Sequence, residues 1–242
     1  MKIITDDKFR TGSIRYICMY VGGSPVTCYV LHGKNGDMLI DTGIPFCHAA
    51  LKNWLSDCNI RHIFLTHAHV DHDSNAAILR RELGSEIILG QHDLPLIGHY
   101  GRQPVKPTHE KYRLRNIQQN ICGKMKIFST KPYRPDILVT EENCNILRSL
   151  GYDAEIIPLS GHTLGSIGVL SDGVLYCGDA FTAIWGKPAI TPHATSPKLM
   201  CRSLERILKL SPKWLATGHG LPVSFSSSQP VISEYLAERR LK

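Results

Sequence analysis

Between residues 66 and 73 the chain reads Thr66-His67-Ala68-His69-Val70-Asp71-His72-Asp73, directly after an apolar run. On an extended chain, side chains two apart point to the same side, so His67 and His69 can reach one metal ion. Asp71 and His72 are adjacent where the strand turns into a helix, so they diverge from that pair and can serve a second ion. The spacing predicts two metals. It also demands a fold that carries further ligands, one of them anionic, to this strand end.

Three later strand ends supply such groups: His162 in Ser160-Gly161-His162-Thr163, Asp179 in Cys177-Gly178-Asp179-Ala180, and His219 in Thr217-Gly218-His219-Gly220. Each follows an apolar run and sits beside glycine, which lets the backbone bend at a sheet edge and leaves room for ions and substrate. Seven nitrogen and oxygen ligands suit two open ions better than a closed structural zinc site with its four thiolates or imidazoles. His32, His48, His62, His92, His99, His109 and His193 read as core or capping residues. The position of His193, shortly after Asp179, also lets it face a substrate.

The frame around these groups is legible in outline. Apolar runs at 14–21, 25–31 and 38–40, broken at Gly22-Gly23 and Asn35-Gly36, predict a meander of strands. A helix is expected over about 45–58, a strand over 60–66, a helix over 76–83 capped from Asp73-Ser74-Asn75, and a strand over 85–89. Strands follow at 154–158, 166–170 and 174–177, then a helix over 197–210, a strand at 214–217 and a last helix over 230–241. Strands open each half and helices follow, which suggests two similar layers of sheet and helix. At 242 residues with 43% hydrophobic and 20% charged, the chain fits one globular domain, 1–242, that needs no metal merely to hold its core.

Asp41 in Leu39-Ile40-Asp41-Thr42-Gly43, His-x-His-x-Asp-His at 67 to 72, then His162, Asp179 and His219, resemble the five ordered motifs of the metallo-β-lactamase-fold hydrolase superfamily. The resemblance extends over about residues 37 to 220. It implies an α/β fold, a four-layer αββα sandwich with the site at the sheet edge. It places His67, His69 and His162 on one metal, Asp71, His72 and His219 on the other, and Asp179 between them. Asp41 would support the site from behind, orienting a ligand histidine. The implied cofactors are two divalent ions, zinc first, with manganese or iron in range. Their shared water becomes a hydroxide nucleophile near neutral pH, and Asp71 is the candidate for passing a proton to the leaving group.

The branch follows from ligand identity. Dedicated β-lactamases of this superfamily lack a bridging aspartate, so Asp179 points to the branches resembling glyoxalase II thioesterases, lactonases and phosphodiesterases. The expected reaction is therefore cleavage of an ester-type bond, lactone or thioester. The 23 residues after His219 leave no room for the helical domain that binds glutathione in glyoxalase II. Thr182 stands where the quorum-sensing lactonases are similar in carrying a tyrosine, and Phe181 and Trp185 are the nearest aromatics. A mononuclear-iron persulfide dioxygenase and a phosphodiesterase or nuclease remain the alternatives.

Charge is concentrated. Residues 102–134 hold nine Lys/Arg against one acid, Glu110, and the stretch 95–135 is proline-interrupted, with a helix expected near 110–121. It reads as an excursion, solvated or dimer-forming, that could also draw a small anionic substrate to the site. Sparse aromatics there (Tyr112, Phe128, Tyr133) disfavour nucleic acid as a partner. Charges at the amino terminus and the lack of an ~18-residue apolar run predict neither a signal peptide nor a membrane span. Eight dispersed cysteines predict free thiols and a cytoplasmic setting.

Overall fold

The computed structural model describes residues 2–6, 15–21, 24–126 and 129–240. The Gly22-Gly23 turn lies outside the described residues. The first sheet is built from β1 (Lys2–Asp6), β2 (Arg15–Val21), β3 (Ser24–Leu31) and β4 (Asp37–Ile40), paired antiparallel in that order. After α1 (His48–Trp54), β5 (Ile60–Leu65) joins β4 in parallel. Two helices follow, α2 (Val70–Asp73) and α3 (Ala76–Leu83), and then β6 (Glu86–Gly90), parallel to β5.

The next segment carries a two-residue strand, β7 (Lys106–Pro107), and α4 (Arg113–Lys124). β8 (Ile137–Val139) then adds to β6 in parallel and completes seven strands. After α5 (Ile146–Ser149) come β9 (Glu155–Pro158), β10 (Ile167–Ser171) and β11 (Val174–Gly178). β12 (His193–Ala194) pairs with β7, and α6 (Pro197–Leu210) leads into β13 (Trp214–Thr217), parallel to β11. β14 (Val223–Ser224) closes a second sheet ordered β14-β13-β11-β10-β9, and α7 (Phe225–Arg240) follows.

Period-two alternation sorts side chains into three cores and so into four layers. Tyr16, Cys18, Tyr29, Phe64 and Ile88 from the first sheet meet Ile156, Val169, Tyr176 and Ala216 from the second. Their neighbours Ile17, Met19, Ile63, Leu65, Ile87 and Leu89 point the other way, onto Leu51 and Trp54 of α1 and Leu79 of α3. Leu175, Cys177 and Leu215 pack outward on Met200, Leu204 and Ile207 of α6 and on Ile232 and Leu236 of α7. Helix, sheet, sheet, helix is the αββα order expected. Each fully buried aliphatic or aromatic side chain contributes roughly 1.5–3 kcal/mol, so these interfaces, not local propensity, hold the layers.

Three helix boundaries differ from expectation, the first being α4, which spans Arg113–Lys124 and not about 110–121. The stretch 45–58 yields only α1, preceded by a tight turn at Pro45–Cys47. α7 begins five residues before Pro230, because Ser224 Oγ accepts from the Ser227 N–H and caps the first turn. α3 has the expected limits, but Asp73, Ser74 and Asn75 do not cap it. Asn75 instead donates to the Thr42 and Ile44 carbonyls, and Asp73 accepts from Tyr133. All eight cysteines are free. Among the described residues no helix is long and apolar enough to cross a membrane.

Candidate metal centre

β4, β5 and β6 run parallel, as do β11 and β13, so the loops that leave their carboxyl ends meet at one edge of the sandwich. The two sheets are pinned together there. Thr27 of β3 donates its N–H to the Gly218 carbonyl and its hydroxyl to that of Gly220, and the Ile167 N–H reaches the Thr66 carbonyl. The chain turns sharply at this edge: Asp41 has φ +60° and Gly178 φ +49°. The left-handed value is uncommon for a non-glycine residue and tolerable for Asp.

All seven sequence-predicted ligands come together at this edge. His67, His69 and His162 present ligand atoms within 4.8 Å of one another, as do His67, His72 and Asp179, and Asp71, His72 and His219. Asp179 lies central to them, with its carboxylate oxygens 3.6 Å from His72 Nε2, 3.5 Å from His162 Nε2 and 3.2 Å from His219 Nε2. Asp71 is 3.3 Å from His219 Nε2.

The outer hydrogen bonds settle which ring nitrogen faces inward. His72 Nδ1–H donates to Asp41 Oδ2 at 2.7 Å, His162 Nδ1–H to the His193 carbonyl at 3.1 Å, and His219 Nδ1–H to the Pro25 carbonyl at 2.7 Å. Thr66 Oγ1 donates to Asp41 and therefore accepts from His67 Nδ1 at 3.1 Å. Carbonyl and carboxylate oxygens only accept, so these four rings keep Nε2 as a lone-pair donor towards the centre. Within the protein, His67 Nε2, His72 Nε2 and Asp179 Oδ1 are buried without a hydrogen-bond partner. A buried polar atom left so is costly, and the convergence of three is what a cation site requires.

Gly218 leaves the space. A Cβ there would stand 2.4 Å from His72 Cε1 and 2.7 Å from Asp179 Oδ1.

The electrostatics agree with this role. Burial, reinforced by neighbouring imidazoles, pushes His67 and His69 well below the ordinary histidine range, and burial also lowers His162. Burial opposes charge on His72 as well, but the carboxylates of Asp41, Asp179 and Asp71 lift it to about 9. Burial would raise Asp179, yet His219 and His72 hold it below the carboxylate range. The edge thus gathers three imidazoles that burial keeps neutral, His67, His69 and His162, and two, His72 and His219, whose positive charge the carboxylates favour where no cation is bound, around anionic oxygens. Nitrogen and carboxylate oxygen are the donors that divalent transition ions take.

A cavity of about 390 Å³ opens from the ligands. His69, Asp71, Asp179 and His219 line its floor, and His193 and Thr182 one side. Tyr100 and the α4 residues Arg115, Gln118 and Gln119 form the roof. Part of the basic stretch thus lines the cavity. β7–β12 pairing ties it to the His193 strand, Asn120 exchanges two hydrogen bonds with the Val105 backbone, and Gly101 and Gly123 let α4 pack at backbone contact. Phe181 is fully buried in the core rather than facing the cavity, and the side chain of Trp185 lies outside the described residues.

Two residues of the site carried no legible signal. Thr66 couples Asp41 to His67, as above. Asp93, fully buried, accepts from the Ala68 N–H at 3.0 Å, the Gly165 N–H at 2.8 Å and Thr163 Oγ1 at 2.8 Å, so it braces the segments holding His67, His69 and His162. Its position just past a buried strand end was the only available hint.

Residues 21–219 match the family model described as the metallo-beta-lactamase superfamily. The chain belongs to the metallo-beta-lactamase superfamily. Among its relatives is the uncharacterized protein YobT of Bacillus subtilis, 26% identical over 211 residues, covering 81% of this chain and 83% of that protein. The metallo-beta-lactamase family protein TTHA1429 of Thermus thermophilus superposes with a TM-score of 0.65 at 19% identity, over 94% of this chain and 79% of that one. TTHA1623, solved in a di-iron-bound form, superposes with a TM-score of 0.63 at 20% identity, over 88% and 97%. At this identity the two structures show the superfamily fold.

Proposed function

We propose that the protein is a hydrolase of an ester-type bond, a lactone or thioester, with two divalent ions held by His67, His69, Asp71, His72, His162, Asp179 and His219. The observation that carries this reading is the convergence of those seven side chains at one sheet edge, four of them lining the cavity, with three buried ligand atoms unpartnered. Zinc is the first expectation for this donor set. The di-iron form of TTHA1623 keeps iron beside it.

Two divalent ions held by these residues would supply a water of lowered pKa as the nucleophile and would polarise the substrate carbonyl. The chain's own groups do the rest. Asp41, through Nδ1 of His72 and through Thr66, fixes two ligand rings. Asp71 lines the cavity as well as the ligand cluster, so its carboxylate is placed to relay a proton to the leaving group. Among the described cavity-lining residues Arg115 is the one Lys or Arg, and it faces a wall with no carboxylate beyond Asp71 and Asp179. It would take an anionic end of the substrate, with the scissile bond over the floor.

The test is turnover of the metal-loaded protein on a lactone, a thioester, a phosphodiester and a lactam. Hydrolysis of the lactone or thioester supports the reading. Turnover confined to the phosphodiester or the lactam, or to none of the four, overturns it.

A further inference from the structure

The outward face of α4 is as unusual as its cavity face. Leu114, Ile117, Ile121 and Met125 are 81%, 49%, 52% and 67% exposed, in a protein whose other apolar residues mostly fill the three cores. At spacings of three and four they fall on one face of the helix and its last turn. The opposite side, with Asn116 and Gly123, is buried, and Arg115, Gln118 and Gln119 turn to the cavity. The apolar stripe therefore lies on the face of α4 beside the one that lines the cavity. Lys111, Arg113, Lys124 and Lys126, all exposed, flank it.

A stripe of this kind needs cover, and the charge around it decides which cover fits. A second copy of this chain, docked symmetrically through α4, would set the same lysines and arginines against themselves, because a two-fold interface matches like patch to like patch. Residues 102–134 hold nine cations and one acid, so such a dimer concentrates repulsion at its centre. An anionic lipid surface offers an apolar zone for the stripe and counter-charge for its flanks.

We propose that α4 is a membrane-docking helix, seating Leu114, Ile117, Ile121 and Met125 in the interface of an anionic bilayer with Lys111, Arg113, Lys124 and Lys126 on its headgroups. Docking sets the cavity-lining face of α4 beside the lipid and gives amphiphilic substrates a short path to the cavity. The inference stands apart from the proposed chemistry, since neither metal nor turnover enters its test.

The full-length protein is sedimented with vesicles of phosphatidylcholine alone and of equimolar phosphatidylglycerol and phosphatidylcholine. The expected result is binding to the anionic vesicles, little to the neutral ones, and release as salt is raised. Leu114→Ser with Ile121→Ser, and separately Arg113→Glu with Lys124→Glu, each weaken the partition by about tenfold or more. Circular dichroism confirms that both variants remain folded. The proposal is overturned if anionic vesicles fail to bind the protein, or if both double variants bind as the parent does. It is equally overturned if light scattering shows a dimer that Leu114→Ser with Ile121→Ser converts to monomer.

Discussion

Asp41 Oδ2 lies 2.7 Å from His72 Nδ1, and the same carboxylate takes the N–H and the hydroxyl of Thr66, each at 2.8 Å. One side chain thus sets two ligand rings, His72 directly and His67 through Thr66. Asp41→Asn keeps the size and tolerates φ +60°, but it loses the charge that holds His72 Nδ1–H. Metal affinity, measured by chelator competition, should fall by about 10- to 100-fold. Unchanged affinity would remove Asp41 from the support of the site.

Gly218→Ala tests the space beside His72 and Asp179. The added methyl meets both side chains below 3.0 Å and must displace one of them. Metal content and turnover should both drop, while thermal stability of the metal-free protein stays within a few degrees. Full metal content in this variant would show that the ligands tolerate movement the account forbids.

Asp93→Ala leaves the Ala68 and Gly165 N–H groups and the Thr163 hydroxyl without their acceptor. Each buried orphan costs roughly 1–3 kcal/mol, so urea unfolding should show a loss of about 3 kcal/mol or more. Metal affinity should weaken as well, because the two braced segments hold three ligands. A stable variant with parental affinity would mean the brace is redundant.

The strands and the sides they bury were legible because their cause is local, while the four-layer αββα order came from the resemblance. Alternation in Tyr16 to Met19, Met38 to Ile40 and Ile63 to Leu65 fixes which side chains face which layer, and the strand-end glycines mark the turns. The seven proposed ligands were legible because their chemistry is rare and their order resembles known motifs. Asp41, which hydrogen-bonds His72, was singled out only through that resemblance. Asp93 and Thr66 were not, since nothing in a sequence says which buried carboxylate or hydroxyl will meet three donors from distant segments. In the stretch 102–134 charge dominates the composition, while its packing rests on backbone contacts at Gly101, Gly123 and β7 that composition does not show.

Arg115 offers a test of substrate class. With hydrolysis established, the anionic ester 4-nitrophenyl hydrogen adipate is compared with neutral 4-nitrophenyl hexanoate. Arg115→Met should lower kcat/KM for the adipate by about tenfold or more, mainly through KM, and change the hexanoate little, since a charge-assisted contact contributes roughly 1.5–3 kcal/mol. Equal losses on both esters would assign Arg115 a structural role.

His62 carries the pH prediction. Burial lowers its pKa below the ordinary histidine value, and its Nδ1 pairs with the Tyr152 hydroxyl at 2.7 Å. The unfolded chain binds a proton near pH 6.5 that the folded protein resists, so this group's contribution to stability is complete above that pH and declines as pH falls towards the folded value. His62→Gln should show a shallower loss of stability between neutral pH and pH 5 than the parent protein. An identical slope would contradict the assignment.

The proposed function requires that one edge of the sandwich hold two metal ions through the seven side chains His67, His69, Asp71, His72, His162, Asp179 and His219. Elemental mass spectrometry on protein purified without added metal, beside Asp179→Ala and His67→Ala, tests it most directly. The account predicts about two equivalents of zinc, manganese or iron in the parent protein and loss of metal in both variants. A parent protein with one equivalent or none, or a His67→Ala variant with its full complement, would contradict it.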